Sequence, residues 1–394
     1  MKFLLIVQGE GRGHLTQAIS LTEILESNGH TVAGALVGTA TGKEVPSFFS
    51  DNFRKQIFPF SSPYLVYNNK SKALDITKTI SNAFIKLPDF LRSLKEINKV
   101  VNALTPDVII NFYDVLGGLH QLLFRPKIPM VCIAHQYLLL HPDFKHPANH
   151  WLDKLLVNTN TRITALGATK KLALSFTEFT NHEPQKITII PPLLRSEITG
   201  LSTDNQGYLL AYVTQFSLAE QLMEWHDKNP DVAIHCFWDN PNYTDTFHYS
   251  PNLHFHKING RKFLAMMQNC RGLVTTAGFE SVCEAMYLGK PTLMIPVPKH
   301  YEQACNALDA HRAGAGITGT SFDLSAFIDY LPTHQNIRFD FQFWYNSGSF
   351  KFLREIENLN PQPAMQWRNT RRRDVLPQLI RRWTLAVFAP LTKN

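Results

Sequence analysis

"TTAGFESVCEAMYLGKPTLMIPVPKHYEQACNAL", Thr275 to Leu308, is the stretch whose reading decides the fold. An apolar run ends at Thr275–Thr276, a turn follows at Gly278, and a helical pattern runs from Phe279 to Leu288. Gly289-Lys290-Pro291 stops that helix before a second apolar run, Thr292–Ile295. Strand, helix and strand in this order make the unit of a parallel sheet covered by helices. The start of such a helix exposes free N–H groups and roughly half a positive charge, which favour a phosphate group. Glu284 lies further along the helix, where its carboxylate could accept hydrogen bonds from a ribose diol. Glu302 and Gln303, in the next loop, could hold the hydroxyls of a sugar. The plainer alternative is an ordinary βαβ unit with a solvated glutamate.

The same pattern continues outward through most of the chain. Candidate strands are Phe3–Val7, Thr31–Val37, Val108–Phe112, Met130–Ala134, Ile163–Leu166 and Ile187–Ile190 in the first half. Tyr208–Val213, Val232–Phe237, Leu273–Thr275 and Thr292–Ile295 follow in the second. Short continuous apolar runs between amphipathic stretches predict α/β architecture with two doubly wound parallel sheets. "PPLLRSEITGLSTDNQG", Pro191 to Gly207, is the expected linker. The predicted domains are 1–195 and 207–335, with an aromatic and basic extension over 336–394. Ligands of such sheets bind outside the carboxyl ends of the strands, so two facing domains make a cleft.

At the N-terminus, "QGEGRGHLTQ" follows the run KFLLIV and opens a helix. Gly9-Glu10-Gly11-Arg12-Gly13 lacks the third glycine of the dinucleotide fingerprint, and the second strand, TVAGALVG, ends without an acid for a ribose diol. A dehydrogenase reading therefore fails. What remains is a tight turn that brings backbone N–H groups, with Gly11, Arg12 and Gly13, to the cleft. His14 is either a capping residue or a base, a task imidazole suits because it titrates near neutrality.

Composition narrows the classes. The chain has 394 residues, 44% hydrophobic and 18% charged, which fits a globular protein and excludes disorder. Five cysteines form no C-x-x-C pair and read as buried thiols of a reducing compartment. The first apolar run is too short for a signal peptide, and no membrane-spanning run occurs. A cytoplasmic protein is expected. Seven basic residues and one acid between 368 and 394 carry +6 of the total +7, so the basicity belongs to a tail and no nucleic-acid partner is expected.

Together these motifs resemble the GT-B glycosyltransferases, most closely the family 28 type that includes the peptidoglycan N-acetylglucosaminyltransferase. The resemblance rests on Gly13-His14, Gly29-His30-Thr31-Val32, Ala277-Gly278-Phe279-Glu280-Ser281-Val282-Cys283-Glu284, Gly289-Lys290-Pro291 and Gln303-Ala304-Cys305-Asn306-Ala307. It spans residues 1 to about 315. It implies Glu284 on the donor ribose, Gln303 and Glu302 on the donor sugar, and Ala277, Gly278 and Phe279 against the diphosphate. Lys257 and Ile258 fall where the family holds the nucleobase. The glycine-rich loop expected after the first strand of the second domain reads Val213-Thr214-Gln215-Phe216-Ser217, leaving Thr214 and Ser217 to reach a phosphate.

The implied reaction is inverting transfer from a nucleotide sugar, a UDP-sugar first, to a glycan or lipid-linked acceptor. The metal-binding Asp-x-Asp motif of the other glycosyltransferase fold is missing from the sequence, so no metal or other cofactor is expected. His14 is the first candidate base; His135 and Asp114 follow, and Asp114 could instead orient His14. The basic, amphipathic segment 368–394 suits either an anionic membrane surface or docking on the protein. The rival readings are a nucleotide-sugar 2-epimerase and a non-catalytic membrane-associated scaffold.

Overall fold

The computed structural model describes residues 1–64, 66, 75–213, 216–240, 242–243 and 245–359. Thr214 and the tail 368–394 lie outside the described residues, and so does the side chain of Ser217.

Among the described residues, fourteen strands form two sheets of seven. The first takes β1 (Lys2–Gln8), β2 (Thr31–Thr39), β3 (Ile57–Ser61), β4 (Val108–Phe112), β5 (Met130–Ala134), β6 (Lys170–Leu174) and β7 (Ile187–Ile190). Their order is β3-β2-β1-β4-β5-β6-β7, parallel throughout. The second takes β8 (Leu209–Val213), β9 (Ile234–Trp238), β10 (Phe247–His248), β11 (Leu253–Lys257), β12 (Gly272–Thr275), β13 (Thr292–Met294) and β14 (Gly316–Thr318). It repeats the pattern as β10-β11-β9-β8-β12-β13-β14, with only the edge strand β10 antiparallel. Each sheet reverses its winding beside its first strand, between β1 and β4 and between β8 and β12. These are the places where open sheets bind ligands.

Burial explains the continuous apolar runs. In β1, Phe3, Leu5 and Val7 enter one core while Leu4 and Ile6 enter the core on the opposite face. A strand covered by helices on both sides has no polar face to show. Each such side chain stabilises the fold by roughly 1.5–3 kcal/mol. All five cysteines are free and buried.

The sequence reading misplaces one strand of the first sheet. Ile163 sits in the last turn of the helix Trp151–Thr164, and the sixth strand is Lys170–Leu174, whose two leading lysines hide it. β3, β10, β11 and β14 also escaped the apolar-run criterion.

After the second sheet the chain returns. The helix Arg338–Asn346 packs on the second half, where Gln342 Nε2 donates to Tyr287 O at 2.9 Å. Trp344 Nε1 in the same helix donates to Ser175 O of the first half at 3.0 Å. The next helix, Gly348–Glu357, lies on the first half, with ion pairs Lys170–Glu355 and His30–Glu357. No helix among the described residues is long and apolar enough to cross a membrane.

Candidate active site

Both switch points open toward the same cleft, and both carry a non-glycine residue in the left-handed region. Tyr113 (φ 61°) follows β4, and Ala277 (φ 59°) follows β12. Such positions cost of order 1–3 kcal/mol and cluster at functional sites. At Ala277 the turn is held by Asn306 Nδ2, which donates to Ala277 O at 3.1 Å. It leads into the helix Phe279–Tyr287, whose N-cap, Gly278, has no side-chain cap. The backbone N–H groups there are available to an anion.

The loop after β1 meets that helix directly. A Cβ on Gly13 would lie 2.5 Å from Glu280 Oε2, so the glycine allows the close approach of the two halves. Glu280, in the first turn of the helix, accepts a hydrogen bond from Gln17 Nε2. The amide oxygen of Gln17 faces His14 Nδ1 at 3.2 Å. A glutamine Oε1 can only accept, so Nδ1 carries the proton and Nε2 keeps its lone pair. Burial holds His14 below the usual imidazole range, so the ring is neutral at pH 7. A chain of contacts thus runs from His14 through Gln17 to Glu280, and it crosses between the halves. Desolvation, with Glu284 and Glu302 nearby, lifts Glu280 to about 7.

Asp114 does not form the expected dyad with His14. It is fully buried, caps the helix Val115–Phe124 through Leu116 N at 2.8 Å, and accepts from Ser62 Oγ at 2.8 Å. Burial raises it to about 6. The ring of His14 stacks instead on Tyr113, with centroids 5.6 Å apart. His135 follows β5 and lies between the halves: it is buried, its Nδ1 lies 2.8 Å from Leu174 O, and its ring stacks on Phe279 at 4.1 Å. Burial lowers it to about 4, and it serves the packing between the halves.

The residues expected to hold a donor have other partners in the structure. Glu284, almost fully buried, is held by Arg195 of the linker, whose Nε and Nη2 donate at 2.5 and 2.8 Å. Arg195 Nη1 also donates to Gly260 O at 2.9 Å. Arg12 lies 3.7 Å over the Phe48 ring, is lowered by burial, and borders Arg195 and Glu284. Arg12, Arg195, Ile258 and Gly260 line a cavity of about 760 Å³ between the halves, and Lys257 ends β11 at its edge. Glu302 Oε1 accepts from Gln136 Nε2 at 3.0 Å. Gln303 Oε1 accepts from Val297 N at 2.8 Å and so shapes its own loop. Sequence reasoning missed Gln17, Gln136, Arg195 and Glu280. Among the described residues no group of three or more His, Cys, Asp or Glu could hold a metal ion.

At the other switch point, a largely apolar cavity of about 240 Å³ opens beside β1 and β4. Gln8, Glu10, Tyr113 and Asp114 line its polar end, and Phe84, Leu87, Phe90 and Leu119 its apolar end.

Two facing Rossmann-like halves with a polar cavity between them make the GT-B fold. The chain belongs to glycosyl transferase family 1, whose model matches residues 1–332. Among solved structures it is similar to the glycotransferase of kitacinnamycin, at 16% identity and TM-score 0.62, covering 90% of this chain and 98% of that one. It is also similar to the spinosyn rhamnosyltransferase complexed with thymidine diphosphate, at 13% identity and TM-score 0.58, covering 91% and 100%. A protein of Arabidopsis thaliana complexed with quercetin matches at 14% identity and TM-score 0.59, over 90% and 98%. No curated protein matches the chain.

Proposed function

We propose that this glycosyltransferase moves a sugar from a nucleotide donor, a UDP-sugar first, to a hydroxyl of a largely apolar acceptor, with inversion and without a metal. The observation that carries the reading is the His14–Gln17–Glu280 chain, which sets a neutral imidazole between the apolar cavity and the donor-side helix. The acceptor seats its apolar body against Phe84, Leu87 and Phe90. His14 Nε2 takes the hydroxyl proton as that oxygen attacks the anomeric carbon from the face opposite the diphosphate. The bond from that carbon to the diphosphate oxygen breaks, and the nucleoside diphosphate leaves with the electron pair. The N–H groups at Gly278 and Phe279, with Thr214 and Ser217, stabilise its developing charge. Lys257 and Ile258 hold the base, and Glu302 and Gln303 the sugar.

Glu284 holds the ribose after Arg195 lets go of it. Arg195 then joins Arg12 against the diphosphate. The thymidine diphosphate in the spinosyn enzyme supports a nucleotide donor, and the quercetin complex supports a small apolar acceptor. The motif likeness to family 28 favours a lipid-linked acceptor, and so does exposed Ile85, which sits between Phe84 and Leu87 of the apolar cavity. A membrane surface met by 368–394 would serve that acceptor.

The test is a calorimetric titration of UDP, GDP and dTDP with EDTA present, repeated with Glu284→Ala. Saturable binding of one nucleotide, lost in the variant, is expected; binding of none would refute the donor assignment. Incubating donor sugar alone separates transfer from 2-epimerisation, which would invert C2 without an acceptor.

A further inference from the structure

A third cavity, of about 550 Å³, lies at the opposite end of the first sheet's strands. Pro129, Thr169 and Lys186 immediately precede β5, β6 and β7, so it opens at the amino ends of these strands, while the catalytic cleft lies at their carboxyl ends. Its wall contains Arg125, Lys127, Arg162, Lys171 and Lys186 and no aspartate or glutamate. Among the described residues none of these five makes an ion pair, although other surface lysines, such as Lys55 and Lys170, do.

Two of the five have a local reason to be basic. Arg125 caps the helix Val115–Phe124, and Arg162 lies in the last turn of the helix Trp151–Thr164. A helix C-terminus carries roughly half a negative charge, so two of them offset about one of the five cations. About four positive charges remain facing one cavity. Burial, with a smaller contribution from the neighbouring Lys186, holds Lys171 below the usual lysine range. Thr169 Oγ1 is buried there without a hydrogen-bond partner. Leu122, Ile128 and Leu140 add an apolar wall. The volume is that of a small-molecule site.

We propose that this cavity binds a phosphorylated ligand, its phosphoryl group among Lys171, Lys186 and Arg125 and its apolar body against Leu122, Ile128 and Leu140. The site is separate from the sugar-transfer cleft and does not depend on the reaction assigned to it. A phosphoryl group neutralises several of these cations at once and supplies acceptors for their N–H donors. It comes either from a soluble phosphate ester or from a lipid headgroup.

The experiment uses the full chain and two probes: inorganic pyrophosphate by calorimetry, and phosphatidylcholine vesicles with and without phosphatidic acid by co-sedimentation. Both are repeated with Lys171→Gln/Lys186→Gln, with the fully surface pair Arg125→Gln/Lys186→Gln, and with Lys95→Gln/Lys99→Gln as a charge-matched control. Saturable pyrophosphate binding, weakened at least tenfold in both cavity pairs and unchanged in the control, supports a soluble ligand. Binding of phosphatidic acid vesicles with the same variant pattern supports a lipid source. Binding of neither probe overturns the proposal, as does equal loss in the control. Pyrophosphate binding that UDP displaces and the cavity pairs leave intact also overturns it, because that binding belongs to the cleft.

Discussion

Glu280→Gln tests the chain of contacts across the halves more directly than any other change. Glu280 is raised from 4.5 to about 7 when the protein folds, and desolvation is the first cause. A carboxyl with a raised folded-state pKa contributes stability that is fully present below its unfolded value. That stability is lost as pH rises through the folded value. The shift of roughly 2.5 pH units, at about 1.36 kcal/mol each, makes the ionised side chain cost about 3 kcal/mol above pH 7. Glutamine keeps an oxygen for Gln17 Nε2 and cannot ionise. The variant is therefore expected to match the wild type near pH 4 and to exceed it by about 3 kcal/mol at pH 8. The assay is urea denaturation at pH 4 to 8, comparing midpoints at constant slope. Asp114 and Asp309 also titrate in this range but are common to both proteins, so the difference isolates Glu280. Two parallel pH profiles would refute the reasoning.

Other outcomes follow from the same geometry. His14→Ala should lower kcat by about 10²–10⁴, the usual contribution of a positioned base, with nucleotide affinity unchanged by calorimetry. Asp114→Asn should keep most of kcat, because Asp114 caps a helix and does not touch His14; a loss as large as that of His14→Ala would restore it as a base. Arg195→Ala leaves a buried carboxylate unpaired and should destabilise the free protein by about 3–5 kcal/mol. Nucleotide should then raise its Tm less than it raises that of the wild type, because Arg195 is no longer there to join Arg12 against the diphosphate. Gly13→Ala should weaken the contact with Glu280 and lower kcat, with denaturation midpoints showing whether folding is spared.

The parts of the fold legible in the sequence are those whose burial is two-sided. β1 and β5 show as unbroken apolar runs, and β4 as a run broken by Asn111 alone, because both faces enter cores. β6 begins with Lys170 and Lys171, and β3 contains Pro59, so the same criterion passes them by. In the site, the loop around His14 and the helix around Glu284 were legible because turn chemistry and helix ends are local. The partner of Gln17 was not. Gln17 and Glu280 lie 263 residues apart, and only folding brings them together. Arg195 looked like linker because nothing in its own neighbourhood reveals the carboxylate it grips. Asp114, standing before an apolar helical run, carried a capping signature that the search for a base overlooked.

The returning helices Arg338–Asn346 and Gly348–Glu357 give the molecule a second covalent crossing beside the linker. A panel held by one pin can swing and twist in any direction, whereas one held at two points turns only about the line through them. Whatever opening admits a donor is thereby reduced toward a single rotation, with the cleft as the free edge. A rotation about that line would part Glu280 from Gln17, whose contact joins the two halves at the free edge.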